Sequence, residues 1–508
     1  MSLGTFERDG ERVLSDGLSL LVGAQAAPAR TLQDVFASTV ATFPDRVALD
    51  DGVSQLSYQE LDAAARQLAA RLFLRGIGRG DRVGVRVTDG TSELYQAILG
   101  VLFSGAAYVP VDVADPEARA REVWREAGVA AVVADGLEII TMRPGRGASG
   151  PARPGDDCWV IFTSGSTGTP KGVAVTHRSA AAFVDAEATL WEVRPEDRVL
   201  AALSVGFDAS CEEMWLAWRH GAALVPAPRR LVTAGGELGR WLVARDITVI
   251  STVPTLAAMW DERDLEQVRL LVLGGEACPD QLIALATATR ELWNTYGPTE
   301  ATVVSTAARI RPGERVTIGR PLPGWNAAVI GEGGELLPLG EPGELVLGGV
   351  GLGRYLDAGL DGRKFAPMPA LGWTRAYRTG DIVRASAECL EYLGRRDGQV
   401  KVGGRRIELG ELEARLSSLP GVRQAAAALR RTASGEAVLV AYYVGEAAVA
   451  ELREELVAQL PPSCVPLVVA LGSFPLNQAG KLDRNALPWP PPDDDPLDEL
   501  TPTESLLA

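Results

Sequence analysis

Histidine and paired cysteines are scarce in this sequence of 508 residues. It contains two histidines, His177 and His220, and no Cys-x-x-Cys pair among its five cysteines, Cys158, Cys211, Cys278, Cys389 and Cys464. A structural zinc site needs such ligands at short, regular spacings, so no zinc site of the usual kind can be assembled. The scattered cysteines are typical of a protein of the reducing cytoplasm.

The sequence also lacks a long apolar run and an excess of positive charge. Its longest uncharged stretch, 456–480, contains Pro461, Pro462, Pro466 and Pro475, which argue against a membrane helix. The N-terminal residues MSLGTFERDGER carry charges where a signal peptide needs an apolar segment. The formal net charge of −16 argues against a nucleic-acid partner. We therefore expect a cytoplasmic protein that binds neither membrane nor nucleic acid.

The organisation of the chain indicates two folded domains of unequal size. Up to about residue 340, helical segments alternate with β-rich runs, which is the pattern of an α/β fold with mostly parallel sheets. Examples are the helices predicted at 31–43 and 57–76 and the strands predicted at 81–87, 247–252 and 268–275. Each of the last two strands is followed by a helical stretch. Beyond residue 394, a helix, two strands and another helix predict a smaller α+β domain. We place the large domain at 1–396, the small domain at 397–487 and a linker rich in proline and aspartate at 488–500.

The segment 162–173, FTSGSTGTPKGV, combines small residues, hydroxyl groups and one lysine. Small residues let backbone N–H groups converge on an anion, and the hydroxyls and the lysine add donors, so phosphate is the natural ligand. A Walker-type P-loop is excluded, because Pro170 precedes Lys171 and Gly172 follows it. The alternative interpretation is a flexible glycine–serine turn after the strand at 159–162.

Eight further segments join this loop in a single ordered set. They are LSYQEL (56–61), LFSGAAYVPVD (102–112), FDAS (207–210), NTYGPTE (294–300), GELVLGGVGLGRYL (343–356), YRTGD (377–381), GRRDGQVKVGGRRIELGELE (394–413) and PLNQAGKLDR (475–484). The set resembles the core motifs of amino-acid adenylation domains of nonribosomal peptide synthetases, in the adenylate-forming superfamily. This resemblance implies a large domain of stacked α/β subdomains with a small barrel-like β part, and a small mobile α+β domain after it.

Two departures from the family pattern stand out. The usual Arg-Gly-Tyr-Leu lacks its glycine at Arg354-Tyr355-Leu356, and Ala479 stands where asparagine is usual. We expect the deletion to lie in a surface turn, and neither change to touch a residue with a chemical role.

The resemblance implies attack of a carboxylate on the α-phosphate of ATP, with release of pyrophosphate, and a requirement for Mg²⁺. Glu300 would coordinate the metal, which prefers oxygen ligands. Tyr296 would stack on adenine, Asn294 would bind its amine, and Asp381 would accept from the ribose hydroxyls. The β- and γ-phosphates would be held by Thr163, Ser164, Gly165, Ser166, Thr167 and Lys171. The remaining nucleotide-binding positions are Gly275, Glu276, Gly297, Thr299, Tyr392 and Arg395.

The small domain would supply the catalytic lysine. By resemblance, Lys481 bridges the substrate carboxylate and the α-phosphate and stabilises the transition state. Asp397 would be the hinge about which the small domain turns, bringing Lys401 to the site for thioester formation. The capping-box pattern at Thr501 and Glu504 would open the first helix of a truncated carrier domain at 501–508, whose phosphopantetheine thiol accepts the acyl group.

The resemblance also assigns a substrate pocket. Asp208 would pair with an α-ammonium group, with an N-cap role for the helix after it as the compatible alternative. The other lining positions are Ala209, Glu212, Ser251, Val272, Gly274, Thr295, Val303, Val304 and Lys481. Because Glu212 would be a buried carboxylate in an otherwise neutral lining, the sequence predicts a basic α-amino acid as substrate. The alternative is that Glu212 points away from the pocket into an exposed salt bridge.

Three functions compete at this point. The first is adenylation of a basic amino acid, with a carrier domain as partner and an MbtH-like small protein as an optional one. The second is an acyl- or aryl-CoA ligase, which Asp208 argues against. The third is a catalytically silent binding module, which the combination of Lys171, Glu300, Asp381 and Lys481 argues against.

Overall fold

The structure is a computed structural model of the chain. It describes residues 5–8, 11–14, 17–148, 150–163, 170–233, 236–396, 399–402, 405–432, 437–475 and 482–490. Within them, no helix is long and apolar enough to cross a membrane.

The described strands are numbered in chain order. They are β1 Thr5–Arg8, β2 Glu11–Leu14, β3 Leu20–Val22, β4 Val47–Asp50, β5 Gln55–Ser57, β6 Arg82–Arg86, β7 Ala107–Pro110, β8 Ala131–Ala134, β9 Glu138–Thr141, β10 Asp157–Thr163, β11 Lys171–Thr176, β12 Arg198–Ala201, β13 Ala223–Pro226, β14 Val249–Thr252, β15 Leu270–Leu273, β16 Glu291–Tyr296, β17 Thr306–Ile310, β18 Arg320–Pro321, β19 Trp325–Ile330, β20 Pro342–Gly349, β21 Arg354–Tyr355, β22 Phe365–Met368, β23 Trp373–Ala385, β24 Leu390–Arg395, β25 Gln399–Val402, β26 Arg405–Glu408, β27 Val422–Arg431, β28 Ala437–Gly445 and β29 Leu467–Ala470.

The described α-helices follow the same numbering. They are α1 Leu32–Thr42, α2 Tyr58–Phe73, α3 Ser92–Phe103, α4 Glu117–Ala127, α5 His177–Leu190, α6 Ala209–Trp218, α7 Arg229–Thr233, α8 Gly236–Ala244, α9 Pro254–Ala257, α10 Ala358–Lys364, α11 Leu409–Ser417 and α12 Val449–Gln459. Short 3₁₀ turns lie at Asp135–Leu137, Glu262–Leu265, Asp280–Leu285, Thr299–Ala301, Pro369–Leu371, Pro462–Cys464 and Arg484–Ala486.

The chain divides into two compact units. The first comprises Met1–Val113, Trp124–Ile161 and Gly172–Arg396, and the second Ala114–Val123, Phe162–Lys171 and Asp397–Ala508. Two capping boxes fix helix starts in the first unit, where the side chains of Thr31 and Ser57 each exchange hydrogen bonds with an acidic residue three positions later.

A nine-stranded sheet in the first unit carries several of the predicted substrate-binding residues. Its order is β18-β17-β16-β15-β14-β12-β13-β4-β5, and the strands from β16 to β4 run parallel. All residues of β14 and β15 are buried, as expected of strands covered on both faces. Helix α6 packs on this sheet and is buried from Ser210 to Trp218, because its sequence is apolar almost all round.

Two further sheets complete the large α/β part of the fold. One has seven strands in the order β21-β11-β10-β7-β6-β8-β9, with parallel pairing among β10, β7, β6 and β8. The other has the order β22-β23-β20-β19-β3, with β24 added to β23, and its described pairs are antiparallel. In place of the barrel-like part that the sequence suggested, the described strands form an open sheet, since β3 and β22 end it without pairing with each other.

The second unit is a small α+β structure. Strands β27, β28 and β29 form a sheet in which β28 pairs antiparallel with β27 and parallel with β29. Helices α11 and α12 bury leucines against this sheet, with Leu412, Leu416, Leu452 and Leu456 in one core. The predicted stacked α/β architecture with a smaller α+β unit is thus confirmed. One detail differs: a 3₁₀ turn at Asp280–Leu285, which follows Pro279, takes the place of a full helix after β15.

Candidate active site

The ends of three adjacent parallel strands carry four of the predicted substrate residues. Ser251 of β14 lies opposite Val272 of β15. Thr295 of β16 donates through Oγ1 to the carbonyl of Leu273 at 3.2 Å. Gly274 follows β15 directly, and a methyl group there would lie 2.4 Å from Thr295 Oγ1. Open parallel sheets bind ligands outside the carboxyl ends of their strands, so these residues lie where a ligand site is expected.

Helix α6 places Glu212 in the interior beside Asp208. Burial raises the pKa of Glu212 to about 8; a hydrogen bond with the Ser251 hydroxyl opposes the rise, and the nearby charge of Asp208 adds to it. Glu212 Oε1 accepts no hydrogen bond from any described residue. Glu212 is 2% exposed, so the alternative of an outward-facing salt bridge is wrong. Asp208 occupies the N-cap position of α6 as predicted, but its side chain makes no capping hydrogen bond to the helix.

The segment after the short turn at Thr299–Ala301 has an unusual backbone. Thr302 and Val303 have φ angles of 62° and 60°, in the left-handed region that a β-branched residue rarely adopts. Thr302 Oγ1 donates to the carbonyl of Gly351 at 2.6 Å. Val303, Val304 and the partly buried Ala209 all pack in the large core. The bend therefore places two predicted pocket residues inside the protein.

A second group of side chains suits a nucleoside. Asn294 is buried; its Nδ2 donates to the carbonyl of Thr317 at 2.7 Å, while Oδ1 has no partner among the described residues. The rings of Tyr296 and Tyr392 lie 6.3 Å apart. Asp381 accepts from Tyr296 Oη at 2.5 Å and from Arg395 Nη1 at 2.6 Å. Burial and the charge of Asp381 raise the pKa of Tyr296.

These contacts fit a bound nucleoside. A buried, unpartnered amide oxygen can accept from an exocyclic amine, and an aromatic ring can stack on a base. Asp381 is buried within the long strand β23.

Glu300 lies in the interior in contact with a residue that sequence reasoning set aside. The hydroxyl of Tyr355 donates to Glu300 Oε1, and both side chains are buried. Tyr355 belongs to β21, which pairs with β11. The expectation of a surface turn is therefore wrong, because Tyr355 is buried in a strand and its hydroxyl contacts the predicted Mg²⁺ ligand.

Comparison with known proteins identifies the family of the chain. Residues 36–355 match the family model described as AMP-binding enzyme. The chain belongs to the AMP-binding enzyme family. It is 40% identical over 497 residues to the nonribosomal peptide synthetase CymA of Salinispora arenicola, covering 95% of this chain and 6% of CymA. It is 36% identical to delta-poly-L-ornithine synthetase of Acinetobacter baumannii, covering 90% of this chain and 36% of the relative. It thus spans less than half the length of these relatives.

A solved structure supports the same assignment. PA1221, described as a nonribosomal peptide synthetase protein containing adenylation and PCP domains, matches with a TM-score of 0.78 and 27% identity over 90% of this chain and 84% of that one. The chain is therefore an adenylation domain of the nonribosomal peptide synthetase type, an adenylate-forming ligase that uses ATP with Mg²⁺.

Only the two ends of this adenylation domain's glycine-rich loop are described. Thr163 ends β10 and Lys171 begins β11, whereas Ser164, Gly165, Ser166 and Thr167 lie outside the described residues. Within the second unit, Lys171 Nζ lies 3.3 Å from Glu408 Oε1, so its charge is partly compensated by this ion pair. Lys401 of β25 lies opposite Arg406 of β26. Asp397, Lys481 and Ala479 also lie outside the described residues.

The remaining predicted nucleotide positions lie in tight turns. Gly275 has a φ of +79°, which favours glycine. Glu276 accepts from the backbone N–H and the hydroxyl of Thr255 at 3.1 and 2.6 Å. A methyl group on Gly297 would lie 2.1 Å from the carbonyl oxygen of Val303, so only glycine fits there. Thr299 begins the 3₁₀ turn that carries Glu300.

Sequence reasoning missed two buried residues that lie beside predicted site residues. Tyr355 was dismissed because of the deletion beside it. Glu187 of α5 is fully buried and lies close enough to Glu212 for their charges to interact. Its signal was its spacing: it follows Phe183 by four residues and Val184 by three, on the apolar stripe of α5.

Proposed function

We propose that this adenylation domain activates an α-amino acid with a basic side chain. The observation that carries this substrate class is the buried Glu212 carboxyl, whose Oε1 has no partner among the described residues. An unpaired buried carboxylate is costly, so a substrate with its own ammonium or guanidinium group would supply the missing charge. The relative from Acinetobacter baumannii is named for ornithine, a basic amino acid, which supports the same class.

The strand ends around Glu212 suit a long side chain. Gly274 has no side chain, and Ser251 and Thr295 are small. Asp208, buried one helical turn before Glu212, pairs with the α-ammonium of the substrate. Two anions at different places in the pocket then match the two cations of a basic amino acid.

In the proposed reaction, a carboxylate oxygen of the amino acid attacks the α-phosphorus of ATP. The bond from that phosphorus to the bridging oxygen breaks, and pyrophosphate leaves. Asn294 and Tyr296 orient the adenine, and Lys481 stabilises the charge that develops at the α-phosphate. Glu300 would hold Mg²⁺, which when bound would reduce the repulsion between the two anionic reactants.

We propose that a carrier domain receives the product. In the second half-reaction its phosphopantetheine thiol attacks the acyl carbonyl, AMP leaves, and a thioester forms. Asp397 is the hinge that lets the small domain, 397–487, withdraw Lys481 and bring in Lys401. The adenylation–PCP architecture of PA1221 supports this partner. An MbtH-like protein is a second proposed partner, and the five free cysteines fit the reducing cytoplasm.

ATP–pyrophosphate exchange across an amino-acid panel tests the substrate class. Lysine, ornithine, diaminopropionate and arginine should support higher activity than leucine, phenylalanine, glutamate and norleucine, the uncharged analogue of lysine. Glu212→Gln should lower kcat/KM for the basic substrates by a hundredfold or more, since a missing partner of a buried charge costs about 3–5 kcal/mol. A wild-type preference for a neutral amino acid over every basic one would refute the proposal. Activity with fatty or aryl acids alone would identify a CoA ligase instead.

A further inference from the structure

A second buried carboxyl group, that of Glu187, lies beside Glu212. Glu187 belongs to α5 and Glu212 to α6, two helices that pack against each other. The residues are 1% and 2% exposed. Each has an Oε1 atom without a hydrogen-bond partner among the described residues. Burial, together with the charge of Glu212, raises the pKa of Glu187.

Other buried carboxyls of the first unit have partners. Asp50 faces two guanidinium groups, with Arg198 at 2.8 Å and Arg245 at 2.5 Å. Glu213, the neighbour of Glu212, accepts from the backbone N–H groups of Ala202 and Leu203 at 2.9 and 3.2 Å. By contrast, no described lysine or arginine forms an ion pair with either carboxyl of the α5–α6 pair. A cation from outside the protein would provide the partner that these two carboxyl groups lack.

We propose that Glu187 is a further specificity-determining residue, which with Glu212 forms a two-carboxyl subsite for the side-chain ammonium of the substrate. This inference rests on the proposed function, the activation of a basic amino acid. One carboxyl ionises when the cation binds, while the other keeps its proton, so that the bound group is neutralised by a single negative charge.

The available oxygens favour an ammonium over a guanidinium. The Ser251 hydroxyl is engaged with the Glu212 carboxyl, and Oε1 is the atom left without a partner. A guanidinium binds a carboxylate best through two parallel hydrogen bonds to both oxygens. An ammonium donates three separate hydrogen bonds and can use one oxygen from each glutamate. Two single acceptors on two helices therefore match an ammonium group.

A purely structural role for Glu187 makes a different prediction. If the pair only joined α5 to α6 through a shared proton, glutamine at position 187 would alter stability and would affect charged and uncharged substrates alike. A specificity role instead requires that the effect depend on the charge of the substrate.

Exchange kinetics on two single variants, their double combination and one control variant separate these roles. The variants are Glu187→Gln, Glu212→Gln and Glu187→Gln/Glu212→Gln, with Glu213→Gln as the matched control because it is buried on the same helix but engaged by the backbone. KM and kcat are measured with lysine, ornithine, arginine and norleucine, and thermal midpoints are recorded for every variant. Glu187→Gln should raise the KM for lysine and ornithine at least tenfold, and should leave the KM for norleucine and for ATP within twofold.

The control and the double variant distinguish an effect on specificity from an effect on stability. Glu213→Gln should lower the thermal midpoint without changing the lysine-to-norleucine ratio. The double variant should lose less than the product of the single losses, because both carboxyls act on one cation. Equal effects of Glu187→Gln on lysine and norleucine would overturn the inference. A preference for arginine over lysine and ornithine would overturn the assignment of an ammonium.

These outcomes are distinct from failure of the proposed function. If the wild-type enzyme prefers norleucine to all basic substrates, the proposed function itself is wrong. If it prefers basic substrates and Glu187→Gln keeps that ranking, the proposed function stands and only the role of Glu187 is refuted.

Discussion

Replacing Glu212 with glutamine removes a carboxyl whose pKa burial raises to about 8 from its ordinary 4.5. Below pH 4.5 the group is protonated in the folded and unfolded chains, so its ionisation contributes nothing. Between pH 4.5 and 8 the unfolded chain releases the proton while the folded chain keeps it, so rising pH favours unfolding. The loss is at most ~1.4 kcal/mol per pH unit for one such group, or a few kcal/mol between pH 5 and pH 8. Glutamine cannot ionise, so the Glu212→Gln variant lacks this pH-dependent loss of stability.

Thermal midpoints of the substrate-free protein at pH 5, 6.5 and 8 measure the effect. One kcal/mol shifts the midpoint by about 2–4 °C in a domain of 150–250 residues, so Glu212→Gln should raise it by several degrees at pH 8 and by little at pH 5. Asp208, Glu187 and Glu213 share this interior, and burial also raises the pKa of Glu187 and of Glu213. The Glu212→Gln variant should therefore keep part of the decrease in stability with rising pH.

Glu196→Gln, at an exposed position, is the control and should leave the midpoint unchanged at every pH. If the difference between Glu212→Gln and wild type were the same at pH 5 and pH 8, Glu212 would not be a buried, uncompensated carboxyl and the reasoning would be refuted.

Three further substitutions test other parts of the site. Lys481→Ala should abolish adenylate formation but spare thioester transfer from a preformed adenylate, and equal loss of both half-reactions would contradict its role. Tyr355→Phe removes the hydroxyl that donates to Glu300, so the Mg²⁺ concentration for half-maximal exchange should rise about tenfold; an unchanged Mg²⁺ dependence would argue against Glu300 as the ligand. Asp381→Asn weakens the acceptor that also binds Tyr296, so the KM for ATP should rise about tenfold; a change confined to the amino-acid KM would refute its place beside the ribose.

The sequence predicted the architecture well where local signals agree with the tertiary environment. Strands β14 and β15 are short runs rich in β-branched and apolar residues, and both are fully buried, so composition and hydropathy located them. Helices α1 and α2 carry their own start signals at Thr31 and Ser57. The helix expected after β15 is only a 3₁₀ turn at Asp280–Leu285.

The site was harder to predict because its missing parts depend on contacts between distant segments. Tyr355 meets Glu300 across 55 residues of sequence, and no local pattern reveals that hydrogen bond. Glu187 lies on the apolar face of α5. Because glutamate is mostly an exposed residue, the sequence did not predict that its carboxyl is buried. Only the packing of α5 on α6 brings its charge within reach of Glu212.

The pocket concentrates features that would be unfavourable elsewhere in the fold. Thr302 and Val303 adopt left-handed backbone conformations that cost about 1–3 kcal/mol each. Their bend is held by the hydrogen bond from Thr302 to Gly351 and by the close approach of the Val303 carbonyl to Gly297. The uncompensated carboxyl of Glu212 adds a further cost near neutral pH. Because a basic substrate would relieve the cost of the carboxyl but not that of the backbone, a saturating basic amino acid should stabilise this domain more at pH 8 than at pH 5.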